Sequence, residues 1–373
     1  MRRFAFVFLL LAGTAHAHKP SDSYLTLHAD GRTLRGQWDI ALRDLEFAIG
    51  LDANGDGEIT WGELKARQAE IDAYALARLA VQADGAACKL EPTEHLVDDH
   101  TDGAYAVLRF AARCPGERYD AIALEYSLFF DLDPTHRGLL RFERDSDSTT
   151  AIFSPDRPRL ELSAQGRSKL QQLADYVREG VWHIWIGFDH ILFLVSLLLP
   201  SVFVFQNQRW APAERFRDTF WDVFKVATSF TLAHSITLSL AALSVIELPS
   251  RLVESTIALS VVLAALNNLW PLVHGRRWVV AFGFGLIHGF GFASVLTDLG
   301  LPRNALLVAL VGFNVGVELG QLAIIAAFLP LAYALRRSWA YRRVVFVGGS
   351  AVIVVVAMIW MVERAFDLRL GLI

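Results

Sequence analysis

Three ionisable residues, His183, Asp189 and His190, stand inside the apolar run Val181–Phe205, VWHIWIGFDHILFLVSLLLPSVFVF. An ionisable side chain in hydrocarbon costs roughly 2.5–3.5 kcal/mol on insertion scales, so a partner or a task keeps it there. Imidazoles with a carboxylate make a ligand set for borderline transition metals, or a proton relay. His183 and His190 are seven residues apart, which on one continuous helix puts them on a common face with Asp189 beside them. Other apolar segments add His234 in TLAHSIT, His288 in GFGLIHGFG, and Asn314, Glu318 and Gln321, spaced four and three apart. That last spacing defines one helix face. Each group alone has a plain structural reading. The Asp–His pair could glue helices, His234 could bond across them, and the glycines around His288 are first of all close-packing surfaces. Glu318 resists such a reading most, because a buried carboxylate needs a cation, a proton or a strong donor. Together they predict one central transition-metal site of His183, Asp189, His190, His234, His288 and Glu318, with Ser235, Asn267, Asn268, Asn314 and Gln321 as polar lining.

The elements that must position these groups are membrane spans. The 373-residue chain is 54% hydrophobic, a balance that points to a membrane protein. Six apolar segments, 181–205, 219–246, 252–273, 278–298, 304–335 and 344–363, are each near the ~20 residues that spanning requires. At 1.5 Å per residue, Asp189 and His190 lie roughly 12–14 Å below the surface. His234, His288, Asn314 and Glu318 fall near the middle of their segments, so one depth is shared. Arg209, Arg215, Arg217, Arg276, Arg277, Arg336, Arg337, Arg342 and Arg343 fall in alternate linkers, against Arg251, Arg303, Arg364 and Arg369 in the others. The positive-inside rule then places the N-terminal half outside. Trp182, Trp221, Trp278 and Trp339 sit near segment ends, as an aromatic belt would. His274, in an Arg-rich linker, reads as solvated. No basic stripe with interleaved aromatics occurs, so nucleic acid is not an expected partner.

The N-terminal half reads as exported. Arg2 and Arg3, the apolar run Phe4–Ala12 and Ala15-His16-Ala17 make a signal peptide over 1–17 with a small-x-small cleavage site. Cleavage would leave His18 first, where an α-amino group beside an imidazole can chelate Cu²⁺ or Ni²⁺. Residues 18–165 then form a periplasmic domain, 166–180 an amphipathic helix on the membrane surface through Leu170, Leu173, Ala174 and Val177, and 181–373 the six-helix membrane domain of a bacterial inner-membrane protein. Alternating runs Tyr24–Leu27, Thr33–Leu42, Tyr105–Phe110, Ala121–Phe129 and Leu139–Arg144 predict an antiparallel β sheet or small sandwich. Cys88 and Cys114, the two cysteines of the chain, predict a disulfide in an oxidising compartment.

Inserted in this domain is DANGDGEITWGE, residues 52–63, which matches the EF-hand loop. Asp52, Asn54 and Asp56 would supply side-chain oxygens, Glu58 its carbonyl, Thr60 a direct or water-borne contact, and Glu63 a bidentate carboxylate to Ca²⁺, with Gly57 making the sharp turn. Leu42, Leu45 and Ile49 before the loop, and Leu64, Ile71, Leu76 and Leu79 after it, have helical spacing. A solitary loop of this kind in an exported domain fits a structural clamp better than a sensor.

The pattern Gly180-x2-His183-x3-Gly187-x-Asp189-His190-x-Leu192-Phe193 resembles a signature of the HupE/UreJ membrane proteins, which are linked to nickel supply for hydrogenase and urease. The likeness covers about the last half of the chain. The second family signature, Phe-His-Gly with a Glu shortly after, is matched only in part by Ile287-His288-Gly289, and Phe313-Asn314-x-Gly316-x-Glu318 stands on the next segment instead. The resemblance implies Ni²⁺ as cargo; the residues themselves support a divalent transition metal.

Three functions compete. A permease for a divalent metal of the Ni²⁺ or Co²⁺ class would capture the ion at His183 and pass it through the central site, with Glu318 as proton carrier. An intramembrane zinc hydrolase would hold Zn²⁺ on three histidines and Asp189, with Ser235 assisting. A calcium-binding, membrane-anchored sensor or accessory factor would use the helices as an anchor only. No nucleotide-binding loop is present, so transport would be passive or driven by protons or potential.

Overall fold

The computed structural model describes residues 21–366, except 31–32, 101–102, 117–119, 145–146, 164–167, 247, 274 and 292–302. The expected signal peptide, His18 and His274 therefore lie outside the described residues.

The N-terminal part is β-rich. Strands β1 (Asp22–Asp30), β2 (Thr33–Ala41), β5 (Lys89–His100), β6 (Gly103–Arg113), β8 (Arg137–Arg144) and β9 (Asp147–Phe153) make a six-stranded sheet in the order β5-β6-β2-β1-β8-β9. A second sheet has the order β10-β7-β3-β4, from β3 (Leu79–Ala83), β4 (Ala86–Ala87), β7 (Ala121–Tyr126) and β10 (Arg159–Ser163). Period-two alternation builds the layer between them. Leu25, Leu27, Trp38, Ile40, Phe110 and Leu140 from the first sheet share one core with Val81, Ile122 and Leu124 from the second. Each such fully buried side chain contributes roughly 1.5–3 kcal/mol. The expected antiparallel arrangement needs one correction: β1 and β8 pair parallel, with Asp22 opposite Arg137. Leu79 also leaves the helical pattern expected of it and opens β3, because its helix has already ended at Leu76.

Cys88 and Cys114 are joined, with Cα atoms 4.1 Å apart. They continue the β5–β6 ladder one residue beyond the Lys89–Arg113 pair, closing the open end of that hairpin. A bridge across 26 residues restricts the unfolded chain by about 3.5 kcal/mol.

Between β2 and β3 lie α1 (Leu42–Ile49), α2 (Trp61–Ala66) and α3 (Gln68–Leu76). Helix α1 stops at Gly50, whose φ of 68° suits glycine. Helix α2 starts at a reciprocal cap of Thr60 and Glu63. The residues between them are the acidic loop.

The C-terminal half is helical: α4 (Lys169–Ile186), α5 (Phe188–Leu198), α6 (Phe216–Ala242), α7 (Ser250–Leu269), α8 (Arg277–His288), α9 (Arg303–Leu335) and α10 (Ala340–Phe366), the last wound as a π-helix over its first nine residues. Four of the described helices, α6, α7, α9 and α10, are long and apolar enough to cross a membrane, and the bent pair α4–α5 makes a fifth. Among the described residues a sixth span is not present, because the fourth expected segment is described as a helix only over Arg277–His288. The first expected segment is also redrawn. No boundary separates a surface helix ending at 180 from a span starting at 181: α4 runs through both, capped at Ser168 by Gln171. Its continuation, α5, leaves at 71°. The end of that segment, Phe203–Gln206, is β11, paired with β12 (Arg209–Pro212) through a tight turn at Asn207 and Gln208, both at positive φ.

Candidate metal centres

The break between α4 and α5 makes the central site. Gly187 is at once the C-cap of α4, donating its N–H to the carbonyl of His183, and the N-cap of α5. On an unbroken helix His183 and His190 would sit about 10 Å apart along the axis. The bend folds them together, with ring centroids 4.5 Å apart. The sequence reading, which placed them on one face of a single helix, is corrected by this break. A side chain at Gly187 is not accommodated: a Cβ there would stand 2.7 Å from the carbonyl oxygen of His183, 3.0 Å from His190 Nδ1 and 3.1 Å from Asp189 Oδ1.

The first turn of α5 supplies Asp189 and His190. Asp189 Oδ1 accepts the backbone N–H of His190 at 2.9 Å and lies 3.0 Å from His190 Nδ1. That contact orients the imidazole and aims Nε2 away from the carboxylate. Helix α6 adds His234, fully buried, with Nδ1 3.3 Å from Asn314 Oδ1 on α9. Helix α8 ends on His288, whose Nε2 is 2.9 Å from Ser260 Oγ on α7. The four imidazoles are walled by Phe193, Phe230 and Phe313.

Two sets of ligand atoms arise. Atoms of His183, His190 and His234 lie within 4.8 Å of one another, and so do atoms of Asp189, His190 and His288. His190 belongs to both. A tetrahedral ion with bonds of about 2.1 Å needs ligands about 3.4 Å apart, so small side-chain rotations would close either set. His190 Nε2, His234 Nε2 and His288 Nδ1 are buried with no hydrogen-bond partner among the described residues. Leaving such an atom unsatisfied costs about 1–3 kcal/mol, which makes these nitrogens natural acceptors for an ion.

The close approach of the helices rests on glycines. Gly312, Gly316 and Gly320 of α9 face α4, and Cβ atoms on Gly316 or on Gly180 of α4 would come within 2.0 and 2.1 Å of backbone oxygens of Val177 and Phe313. Gly285 and Gly289 do the same for α8 against α6, bringing His288 beside His190. The repeat Gly312-x3-Gly316-x3-Gly320 is itself a helix-packing signal in the sequence, beside the Asn314, Glu318 and Gln321 face.

The other expected residues lie elsewhere. Glu318 belongs to neither ligand set; it accepts the hydroxyl of Thr228 at 2.6 Å, one turn beyond Asn314. Gln321 accepts from Thr231 at 3.4 Å. These pairs continue the α6–α9 polar seam away from the histidines. Ser235 donates to Thr231 of its own helix. Asn267 closes the turn after α7 through Leu272 and Val273. Asn268 ties that helix to Ser196 and Ser350. Neither asparagine lines the centre: both sit at the far end of α7, at the level of the β11–β12 hairpin, where Trp210 donates to the carbonyl of Asn268.

In the N-terminal domain the loop from Asp52 to Glu63 is closed on itself. Asp52 accepts the N–H groups of Gly55 and Gly57 at 2.7 and 2.8 Å, and Asn54 and Asp56 accept those of Asp56 and Glu58. Glu63 accepts the N–H of Ala53, and both the N–H and the hydroxyl of Thr60. These bonds, from Thr60 above all, hold the Glu63 carboxyl below the usual carboxylate range. The turn glycines Gly55 and Gly57 have φ of 74° and 85°, values that side chains resist.

The family model described as HupE / UreJ protein matches residues 159–364, which is more than half of the chain and includes every helix of the central site. The chain belongs to the HupE/UreJ family. Its several apolar helices accord with a multi-pass membrane protein. No curated protein matches the chain. The matched region starts at β10, so most of the β-rich domain of this HupE/UreJ protein, the acidic loop included, lies before it.

Proposed function

We propose that this HupE/UreJ protein is a permease of the bacterial inner membrane for a divalent transition metal ion of the Ni²⁺ or Co²⁺ class, with its β-rich domain in the periplasm. The observation that carries the reading is the pair of ligand sets sharing His190. Imidazole suits these ions, and neutral nitrogen ligands release them more readily than thiolates; both cysteines are engaged in the disulfide. His183, at the end of the helix that leads down from the β-rich domain, receives the ion. His190 hands it between the His183–His234 position and the Asp189–His288 position. Asp189 supplies negative charge to a dication in a medium of low dielectric. Glu318, further along the α6–α9 seam, is the carboxylate able to exchange a proton as the ion leaves.

The helix geometry supports this reading. Helix α4 breaks beside the ligands, and α8 stops at one of them. Discontinuous helices meeting near mid-membrane are how transporters expose polar ends to an ion while keeping irregular backbone away from lipid. The arginine-rich linkers support the orientation.

The loop from Asp52 to Glu63 we read as an EF-hand-type Ca²⁺ clamp. A carboxylate has about four acceptor sites, and the amides of Gly55 and Gly57 use only part of those on Asp52. The loop's own amides thus pre-shape the carboxylates and leave lone pairs for the ion.

Uptake of Ni²⁺ or Co²⁺ into proteoliposomes holding the full chain tests the permease. His190→Ala removes the ligand common to both sets and brings uptake to the level of empty vesicles. Unchanged uptake by this variant refutes the reading. A purified protein that keeps a stoichiometric zinc ion yet moves none supports the hydrolase instead.

A further inference from the structure

The β-rich domain rests on the same helix that ends in His183. Arg137, at the start of β8, places Nε 3.4 Å from Glu179 Oε2 on α4, and the two side chains are only 10% and 15% exposed. One turn before, the hydroxyls of Thr150 and Tyr176 lie 3.0 Å apart in a buried contact. Arg157 pairs with Asp175 at 2.5 Å, and Arg178 pairs with Asp156 in a more exposed position. Four contacts therefore tie the domain to a single stretch, residues 175–179.

Arg137 is a rigid member of this set. Its Nη1 donates to the carbonyls of Thr135 and His136 at 3.0 and 2.9 Å. The His136 ring is fully buried between Ser21 Oγ and Tyr126 OH, at 2.5 and 2.6 Å. The guanidinium thus projects from a braced core. Glu179 stands one helical turn before His183, on the same face of α4.

A neighbouring side of α4 meets the glycines of α9, with Tyr176 and Ile184 of α4 packed in one apolar cluster with Leu310, Phe313 and Val317 of α9. That packing holds the two membrane helices together, while the charged contacts hold the same helix to the β-rich domain. A functional ligand has to be held within about 0.5 Å, so both sets of contacts bear on where His183 stands.

We propose that the Arg137–Glu179 pair is the latch that sets α4, so that Glu179 is a positioning residue for His183 and the β-rich domain completes the metal centre. The inference rests on the reading of the histidine cluster as a metal site. It accounts for an ion pair buried where domain meets membrane helix, a place where desolvation makes such pairs a poor source of stability.

The test uses the full chain in detergent, loaded with Co²⁺, whose visible absorption reports ligand geometry. Glu179→Gln should change that spectrum and weaken Co²⁺ binding about tenfold, the lower end of what loss of an orienting partner costs. In vesicles its apparent KM for Co²⁺ should rise with little change in the maximal rate. Arg157→Gln, which removes a neighbouring ion pair, should leave spectrum and affinity as they are. If Glu179→Gln does not fold, Arg137→Lys, which keeps the charge and loses the fork, is read in the same way. His190→Ala separates the two readings. Wild-type Co²⁺ binding by that variant overturns the metal site itself; binding abolished there but unchanged in Glu179→Gln, or in Arg137→Lys where that stands in, overturns the latch alone.

Discussion

Replacing Gly187 by alanine adds one methyl group where the structure has no room for it. The new Cβ would stand 2.7 Å from the His183 carbonyl oxygen, which is held by the N–H of residue 187 itself. It would also stand 3.0 and 3.1 Å from the Nδ1 of His190 and the Oδ1 of Asp189. Ordinary carbon–oxygen contact needs several tenths of an ångström more. Either the end of α4 moves with His183, or the first turn of α5 moves with Asp189 and His190. Both routes pull the two ligand sets apart while leaving every ligand in the chain. Displacing an oriented ligand shell costs about 10–100-fold in metal affinity, or about 1.4–2.7 kcal/mol. Helix propensity gives nothing back, because residue 187 is extended (φ −70°, ψ 97°) and caps α5, a position where glycine is preferred to alanine. The loss of stability stays local to the bend, about 1–2 kcal/mol, and the melting temperature without metal should fall by only a few degrees. Co²⁺ titration of the detergent-purified variant gives the affinity, and a thermal melt gives the stability. Wild-type affinity in Gly187→Ala, with the protein folded, would refute the claim that the bend gathers the ligands.

Gly316→Ala places a Cβ 2.0 Å from the backbone oxygen of Val177. It should destabilise the α4–α9 contact by about 1–3 kcal/mol, seen as earlier hydrogen exchange in residues 173–184. Glu63→Gln removes the one bidentate ligand expected for Ca²⁺. The wild type should gain about 2.7 kcal/mol at a Ca²⁺ level of 100 Kd, and the variant should show no calcium-dependent rise in its melt; a retained rise would refute the EF-hand assignment. Burial pushes the His136 imidazole down to about 3. Its unfolded form titrates near 6.5, so below that value the unfolded chain takes up the proton first and stability falls as pH drops towards 3. The loss by pH 5 is about 2 kcal/mol. Asp44, whose carboxyl is raised by burial, protonates first in the folded state and offsets part of this at the acid end. Hydrogen exchange of β1 and β8 amides against pH checks it, and His136→Gln should flatten the slope between pH 6.5 and 5.

Much of the molecule could be read from local order. The alternation in Tyr24–Leu27, Thr33–Leu42 and Ala121–Phe129 was enough to locate β1, β2 and β7, because a half-buried sheet writes period two into its sequence. The acidic loop and the disulfide were legible for the same reason: turn glycines, spaced carboxylates and the sole cysteine pair are decided within a few residues or by elimination. Apolar length announced the long apolar helices, and the cost of ionisable groups in apolar segments singled out His183, Asp189, His190, His234 and His288, which the fold gathers.

What the chain by itself did not decide was how those residues meet. Helical periodicity assumes a straight axis, so it could not foresee that Gly187 would end one helix and cap the next at 71°. It placed Glu318 in the centre because its depth matched, whereas Glu318 turns to Thr228 of α6; Asn267 and Asn268 stand at the far end of α7 and bond Leu272, Val273, Ser196 and Ser350 there. The pairing of Arg137 with α4 is equally invisible along the chain, since 42 residues separate it from Glu179. Composition and spacing select which side chains can do chemistry, but only close packing in three dimensions brings their atoms within reach of one ion.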